Sequence, residues 1–336
     1  MELAALQAML NATMVETMLA EGGTVARVAG VRARPATFSF LSGGASNNAL
    51  FLDLSIDYAG LTGLPDRLVL KAGRNVQGTA RREAQFFAHV DPSAVPGVIR
   101  CYGRQWLADQ DFGLLLLENA GEGLSYQGPD ESHLHLYADA LRVLANLHAW
   151  RWNDAALGSG DFVTDWDEAF IAFALDQAAS ALTALGDSNP VRADCADALD
   201  GLGPRLLARV GARPLCVTHG DAALWNFVMD ASGERPVRLL DFQLWGVHPP
   251  AWDVAYMLYA LWPTALRRAH VPGLLDVYLA QLETHGIDYG RDLERDLGLM
   301  VPGMIELTLA NLALGLWPEE RVRERLEWLA DACEDV

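Results

Sequence analysis

Three oxygen-bearing side chains spaced around one short apolar hairpin constrain the fold more than any other feature of these 336 residues. Asp221 closes the run Cys216-Val217-Thr218-His219-Gly220-Asp221, Asn226 follows after four residues, and Asp241 ends Arg238-Leu239-Leu240-Asp241. Leu215 to Val217, Phe227-Val228-Met229 and the run before Asp241 read as short strands set apart by turn residues. Opposed strands over 227–240 bring Asn226 and Asp241 to one end of a hairpin, with Asp221 on the loop ahead of it. Helical periodicity surrounds this β insertion, predicting helices over 134–150, 166–185 and 191–210 before it. After it, the same spacing predicts helices over 251–261, 266–285, 293–316 and 318–332.

The N-terminal third has a different texture. Apolar residues at helical spacing (Leu3, Leu6, Met9, Leu10, Met14) predict a helix over 2–20. Strands are predicted at Thr37-Phe38-Ser39-Phe40, 50–56, 67–71, 99–106 and 113–117, with one helix over 79–90. The composition changes at Glu118-Asn119-Ala120-Gly121. The expected architecture is therefore α+β in two lobes: 1–118, a five-stranded, mostly antiparallel sheet with its helix, and 119–336, mainly helical, holding the catalytic hairpin.

An Asp, four residues, an Asn and a second Asp twenty positions after the first is the spacing that phosphoryl transfer from a magnesium–nucleotide complex requires. Asp221 is the candidate catalytic base that orients an acceptor hydroxyl and takes its proton. Asn226 and Asp241 are candidate Mg²⁺ ligands, both hard oxygen donors. Each residue alone also reads as an ordinary turn or strand-end residue, but that reading leaves the common register unexplained. Lys71, ending the apolar run Leu68-Val69-Leu70, reads either as a surface lysine or as one turned inward for a reason.

His219-Gly220-Asp221-x4-Asn226, Asp241, Asp253 twelve residues further, and the earlier Leu144-Ala145-Asn146-Leu147-His148-Ala149 resemble the aminoglycoside phosphotransferase and choline kinase superfamily. The form Asp241-Phe242-Gln243 is most similar to its ecdysteroid-kinase-like branch. The resemblance implies a protein-kinase-like two-lobe fold that phosphorylates a small-molecule hydroxyl, with Mg²⁺ and with ATP or GTP as donor. It makes Lys71 the strand lysine on the phosphates and Glu83 its helix partner. It places Ser42, Gly43, Gly44, Ser46 and Asn47 on a phosphate-contacting turn, and Glu118 and Ala120 at the nucleobase edge. His219 and Asp253 are expected as structural support, and His148 as structural too. Gly220 stands where regulated protein kinases carry Arg, no Ala-Pro-Glu follows Asp241, and eleven residues separate Asp241 from Asp253. A small-molecule acceptor is expected over a protein.

The formal net charge of −19 argues against nucleic acid as a partner. Four scattered cysteines without a Cys-x-x-Cys pair suit a reducing compartment, and no apolar run is long enough to span a bilayer. A cytoplasmic protein without a membrane partner is expected, of unspecified oligomeric state. Trp225, Trp245, Trp252, Trp262 and Trp317 read either as lobe core or as the wall of an acceptor pocket. The carboxylates Asp165, Asp167, Glu306, Glu319 and Glu320 do not cluster in sequence as a polycation would demand. The expected acceptor is a semi-apolar hydroxylated compound, an antibiotic or related metabolite. A choline, amino-alcohol or sugar kinase, and a nucleotide-binding pseudokinase, are the alternatives.

Overall fold

The structure is a computed structural model and describes residues 2–36, 45–46, 49–90, 94–121, 128–158, 162, 166–186, 191–212, 214–229, 236–315 and 317–336. It divides into two compact units, Met1–Tyr126 with Trp225–Leu244, and Gln127–Leu224 with Trp245–Val336. Eleven α-helices fall among the described residues, and no single one is long and apolar enough to cross a membrane.

The first unit opens with α1 (Leu3–Met9) and α2 (Ala12–Glu21) instead of one helix over 2–20. Asn11 is the cause. Its backbone is extended, and its side chain accepts from Met14 N–H at 2.9 Å, so it caps a new helix rather than continuing the old one. There follow β1 (Val28–Pro35), β2 (Ala45–Ser46), β3 (Ala49–Tyr58), β4 (Arg67–Arg74), α3 (Thr79–His89), β5 (Cys101–Leu107) and β6 (Phe112–Glu118). The strands pair antiparallel in the order β1-β3-β4-β6-β5, with β2 added against β3. The strands predicted at 50–56, 67–71, 99–106 and 113–117 correspond to β3–β6, while 37–40 lies outside the described residues. β1 was not predicted. Its arginines serve the exposed edge, where Arg32 and Arg34 pair with Asp57 and Asp53 of β3.

Strand alternation sends Leu52, Leu54 and Ile56, Leu68 and Leu70, and Leu114 and Leu116 into one core with Leu6, Val15, Met18 and Leu19 of the two N-terminal helices. α2 lies directly on β5: a Cβ at Gly103 would stand 2.6 Å from the Met18 carbonyl oxygen. Gly103→Ala is therefore expected to cost about 1–3 kcal/mol as a forced backbone shift, read as a lower urea midpoint. An unchanged midpoint would mean that this approach is not tight. A hairpin, Phe227–Val228 against Arg238–Leu239, completes the unit. Leu239 N–H donates to the Gly97 carbonyl at 2.8 Å, and the Leu239 carbonyl accepts from Ile99 N–H at 3.0 Å.

The second unit contains α4 (Leu134–Trp150), α5 (Glu168–Ala184), α6 (Arg192–Leu199), α7 (Leu202–Val210), α8 (Ala251–Leu258), α9 (Thr264–Glu283), α10 (Gly290–Ala313) and α11 (Glu319–Glu334). The helix predicted over 191–210 is broken in two at Gly201, which adopts a left-handed φ of 60°. α4 packs against α9, and α10 packs against α5, α8 and α11. Arg209 of α7 makes two bonds to the fully buried Asp296 of α10, which also accepts from the Tyr289 hydroxyl at 2.6 Å. A short strand, Cys216–Thr218, pairs with Gly246–His248, a partner the sequence reading missed.

Candidate active site

In the first unit β4 is buried on both faces, and the alternation that points Leu68 and Leu70 into the core points Val69 and Lys71 the other way. Lys71 is only 3% exposed, and its Nζ donates to Glu83 Oε1 at 2.8 Å and to Asp241 Oδ1 at 2.7 Å. Burial alone would lower the pKa of this ammonium. The carboxylates of Asp241 and Glu83 outweigh it and hold the group above its ordinary range, so Lys71 stays charged. Glu83 comes from the buried face of α3, between Ala80 and Phe86. Burial pushes its carboxyl up, against the pull of Lys71 and of Phe242 N–H, which donates to it. The Phe242 ring stacks on Phe86 at 3.7 Å, so the residue after Asp241 is packed on the helix that delivers Glu83. Asp241 itself has a φ of 69°, a left-handed geometry that Asp tolerates better than most residues.

A cavity of about 310 Å³ opens on this face of the unit. Phe51, Val69, Leu117, Trp225 and Val228 form apolar walls, and Lys71, Asn226 and Asp241 supply its polar groups. Glu118 and Ala120 border it as well, with the Glu118 carboxylate held by Arg238 Nε at 2.9 Å. Asn226 is buried, and its carbonyl accepts from Leu240 N–H at 3.0 Å, so Asn226 and Asp241 share one end of the hairpin. Their amide and carboxylate oxygens are the donor type that suits Mg²⁺, and 37% of the Asp241 side chain remains open beside its bond to Lys71. Ser42, Gly43, Gly44 and Asn47 lie outside the described residues. Ser46 belongs to the two-residue β2, whose backbone pairs with Ala49.

The chain passes from the second unit to the first between Leu224 and Trp225, so Asp221 is described with the second. Its loop is held from beneath by Asp253, which is completely buried. Asp253 accepts from the backbone N–H groups of His219, at 2.6 Å, and Gly220, at 2.9 Å, and from His148 Nε2 at 3.1 Å. Burial would raise this carboxyl, but the bond and charge of His148 and the His219 N–H outweigh it and hold the group below the usual range. Asp253 thus braces the loop and does not cap its own helix, whose first position has no side-chain cap. His148 is anchored in turn by the Tyr278 hydroxyl at 2.8 Å. His219 Nδ1 accepts from Asp221 N–H at 3.2 Å.

One contact escaped the sequence reading. Tyr256, a turn beyond Asp253 on α8, donates its hydroxyl to the Asp221 carboxylate, and burial together with Asp221 pushes its phenol well above the usual range. The available signal was the three-residue spacing Asp253–Tyr256, which puts both on one helix face. The acidic candidates have scattered fates. Asp167 caps α5, Glu319 pairs with Arg323, Glu320 is exposed, and Asp165 lies outside the described residues. Burial pushes the Glu306 carboxyl up to about 7. Trp245 and Trp262 are core, Trp252 meets Trp166 edge-on, and Trp225 borders the first unit's cavity.

The APH family model, described as "Phosphotransferase enzyme family", matches residues 37–294. No curated protein matches the chain. Among solved structures, the choline kinase of Cryptosporidium parvum is 12% identical, with 91% of this chain and 89% of that one covered at a TM-score of 0.56. Aminoglycoside 2'-phosphotransferase-IIIa, solved with GDP, is 15% identical over 90% of this chain and 93% of its own, at 0.55. A thermostable mutant of aminoglycoside phosphotransferase APH(4)-Ia, solved with AMP-PNP and hygromycin B, is 15% identical over 92% and 93%, at 0.51. At such identities these structures speak for the α+β, kinase-like fold. The family match spans more than three quarters of the sequence, and the chain belongs to the phosphotransferase enzyme family.

Proposed function

We propose that this enzyme transfers the terminal phosphoryl group of a nucleoside triphosphate to a hydroxyl group of a small molecule. The observation that carries this reading is the cavity in which a buried, charged Lys71 is fixed by Glu83 and Asp241 beside Asn226. The acceptor oxygen forms a new bond to the γ-phosphorus, and the bond from that phosphorus to the β–γ bridging oxygen breaks. The electron pair leaves with the nucleoside diphosphate, and the hydroxyl proton passes to Asp221. Lys71 binds the α- and β-phosphates, and Glu83 keeps it in place. Asn226 and Asp241 would hold Mg²⁺, which neutralises charge on the phosphates when bound. The segment around Glu118 and Ala120 meets the nucleobase, and residues 42–47 are assigned to the phosphates from sequence.

In this reading residues 1–118 carry the nucleotide side and 119–336 the acceptor side, with the hairpin supplying the metal ligands. The APH(4)-Ia mutant was solved in a ternary complex with AMP-PNP and hygromycin B, which supports a nucleotide and a small-molecule acceptor as the ligands here. The acceptor is a hydroxylated antibiotic or metabolite, the donor ATP or GTP, and the setting the cytoplasm, where triphosphates are abundant. The form Asp241-Phe242-Gln243 supports a place nearest the ecdysteroid-kinase-like branch. The test is titration of Mg·ATP and Mg·GTP into the protein and into Lys71→Met. Loss of a charged hydrogen bond to phosphate should weaken binding about 10- to 100-fold. Equal affinity in the two proteins would remove Lys71 from the nucleotide site.

A further inference from the structure

Each carboxylate that the described residues bring to the first unit's cavity is matched by a cation. Arg238 takes Glu118, with its Nε 2.9 and 3.1 Å from the two carboxylate oxygens. Asp241 Oδ1 accepts from Lys71 Nζ at 2.7 Å, and the same ammonium is held at 2.8 Å by Glu83, buried on α3. Two bonds on one nitrogen fix it in place, so Lys71 is not free to swing away from Asp241. They use two of the three N–H groups of the ammonium and leave the third for an anion in the cavity that Lys71 lines. A fixed positive charge therefore sits on the carboxylate that is also the candidate metal ligand.

We propose that Lys71 makes Asp241 selective for a divalent cation that arrives with a nucleotide, and keeps the free ion off this carboxylate. This rests on the phosphotransferase reading above and adds an order of binding to it. A dication and an ammonium that share one carboxylate repel each other, and burial of the ammonium leaves that repulsion poorly screened. Asp241 and the Asn226 amide are a small donor set for an ion that demands six oxygens and dehydrates reluctantly, so little offsets the repulsion. A triphosphate reverses the balance. Its oxygens accept from the third N–H of Lys71 and complete the shell of the metal, so both cations are attracted to the same anion. Metal and nucleotide then raise each other's affinity, and Lys71 sets the size of that coupling.

The experiment measures binding of Mn²⁺ alone to the full chain, without nucleotide, from the electron paramagnetic resonance signal of the free ion. Lys71→Met removes the charge and keeps most of the side chain's length. It should bind Mn²⁺ about 10- to 100-fold more tightly than the wild type, although the same substitution weakens the nucleotide. Lys71→Arg keeps the charge and should remain as weak as the wild type. Lys71→Met combined with Glu83→Gln leaves no buried charge unpaired; its gain should be smaller but of the same sign, and it serves if the single variant does not fold. Adding Asp241→Asn to either should abolish the gain, which places the ion on that carboxylate. Equal Mn²⁺ affinity in the wild type and the charge-removing variants would overturn the proposal. So would a gain that survives Asp241→Asn, or one that is as large in Lys71→Arg as in Lys71→Met. The phosphotransferase reading fails on a different readout, the absence of nucleotide binding sensitive to Lys71.

Discussion

Asp221→Asn is expected to lower the turnover number by about 10²–10⁴-fold, the usual contribution of a positioned base, with nucleotide affinity largely unchanged. The amide has the size of the carboxylate and retains an oxygen to accept from Tyr256, so the loop should keep its form. What it loses is the capacity to take the acceptor's proton. Lys71, Asn226 and Asp241, the groups assigned to the nucleotide, are untouched by the change. Single-turnover rates and nucleotide titrations on the same preparation separate the two effects. Near-full activity in the variant would remove Asp221 from its role, and a parallel loss of nucleotide affinity would show that the substitution had disturbed more than the base.

The second large effect is expected from Asp253→Ala, which should destabilise the protein by about 3–5 kcal/mol, the range for removing one member of a buried charged pair. Two backbone N–H groups, of His219 and Gly220, and one ring nitrogen of His148 lose their acceptor together in a place closed to water. Asp253→Asn keeps one oxygen for the loop and should recover part of the loss. The sign with pH follows from the depressed carboxyl. Its stabilisation is complete above the unfolded value of about 4 and disappears as pH falls through the lower folded value. Urea unfolding of the three proteins at neutral and acidic pH measures this. A loss under about 1 kcal/mol for the alanine variant would sink the account of Asp253 as the brace of the loop.

Much of this architecture was legible because chemistry and burial imposed it locally. β4 reads as a strand with an inward lysine because both its faces are buried, although it runs three residues past Lys71 to Arg74, and the twelve-residue step to Glu83 spans one turn and a helix face. The hairpin was legible because short apolar runs flank polar ends. Elements set by a single polar side chain were not. Asn11 stops a helix whose apolar spacing continues through it, and Gly201 does the same to the pair α6–α7. β1 hid behind its arginines and Gly30, whose purpose shows only when Asp53 and Asp57 stand opposite. Tyr256 was invisible for another reason. A tyrosine on a helix that is buried all round looks like core until its hydroxyl is seen to end at Asp221.

The hairpin at Trp225–Leu244 makes the first unit discontinuous in the gene. A fragment ending at residue 118 or 126 would lack Leu239, whose backbone groups bond Gly97 and Ile99, and Arg238, which holds Glu118. Its cavity would be missing the wall formed by Trp225 and Val228 and the ends formed by Asn226 and Asp241. Recombination between relatives at one crossover in this region would therefore join a sheet from one parent to the hairpin of another. Inheritance of the complete cavity, the proposed nucleotide site, requires two distant stretches of sequence to travel together, which favours exchange of the gene as a whole.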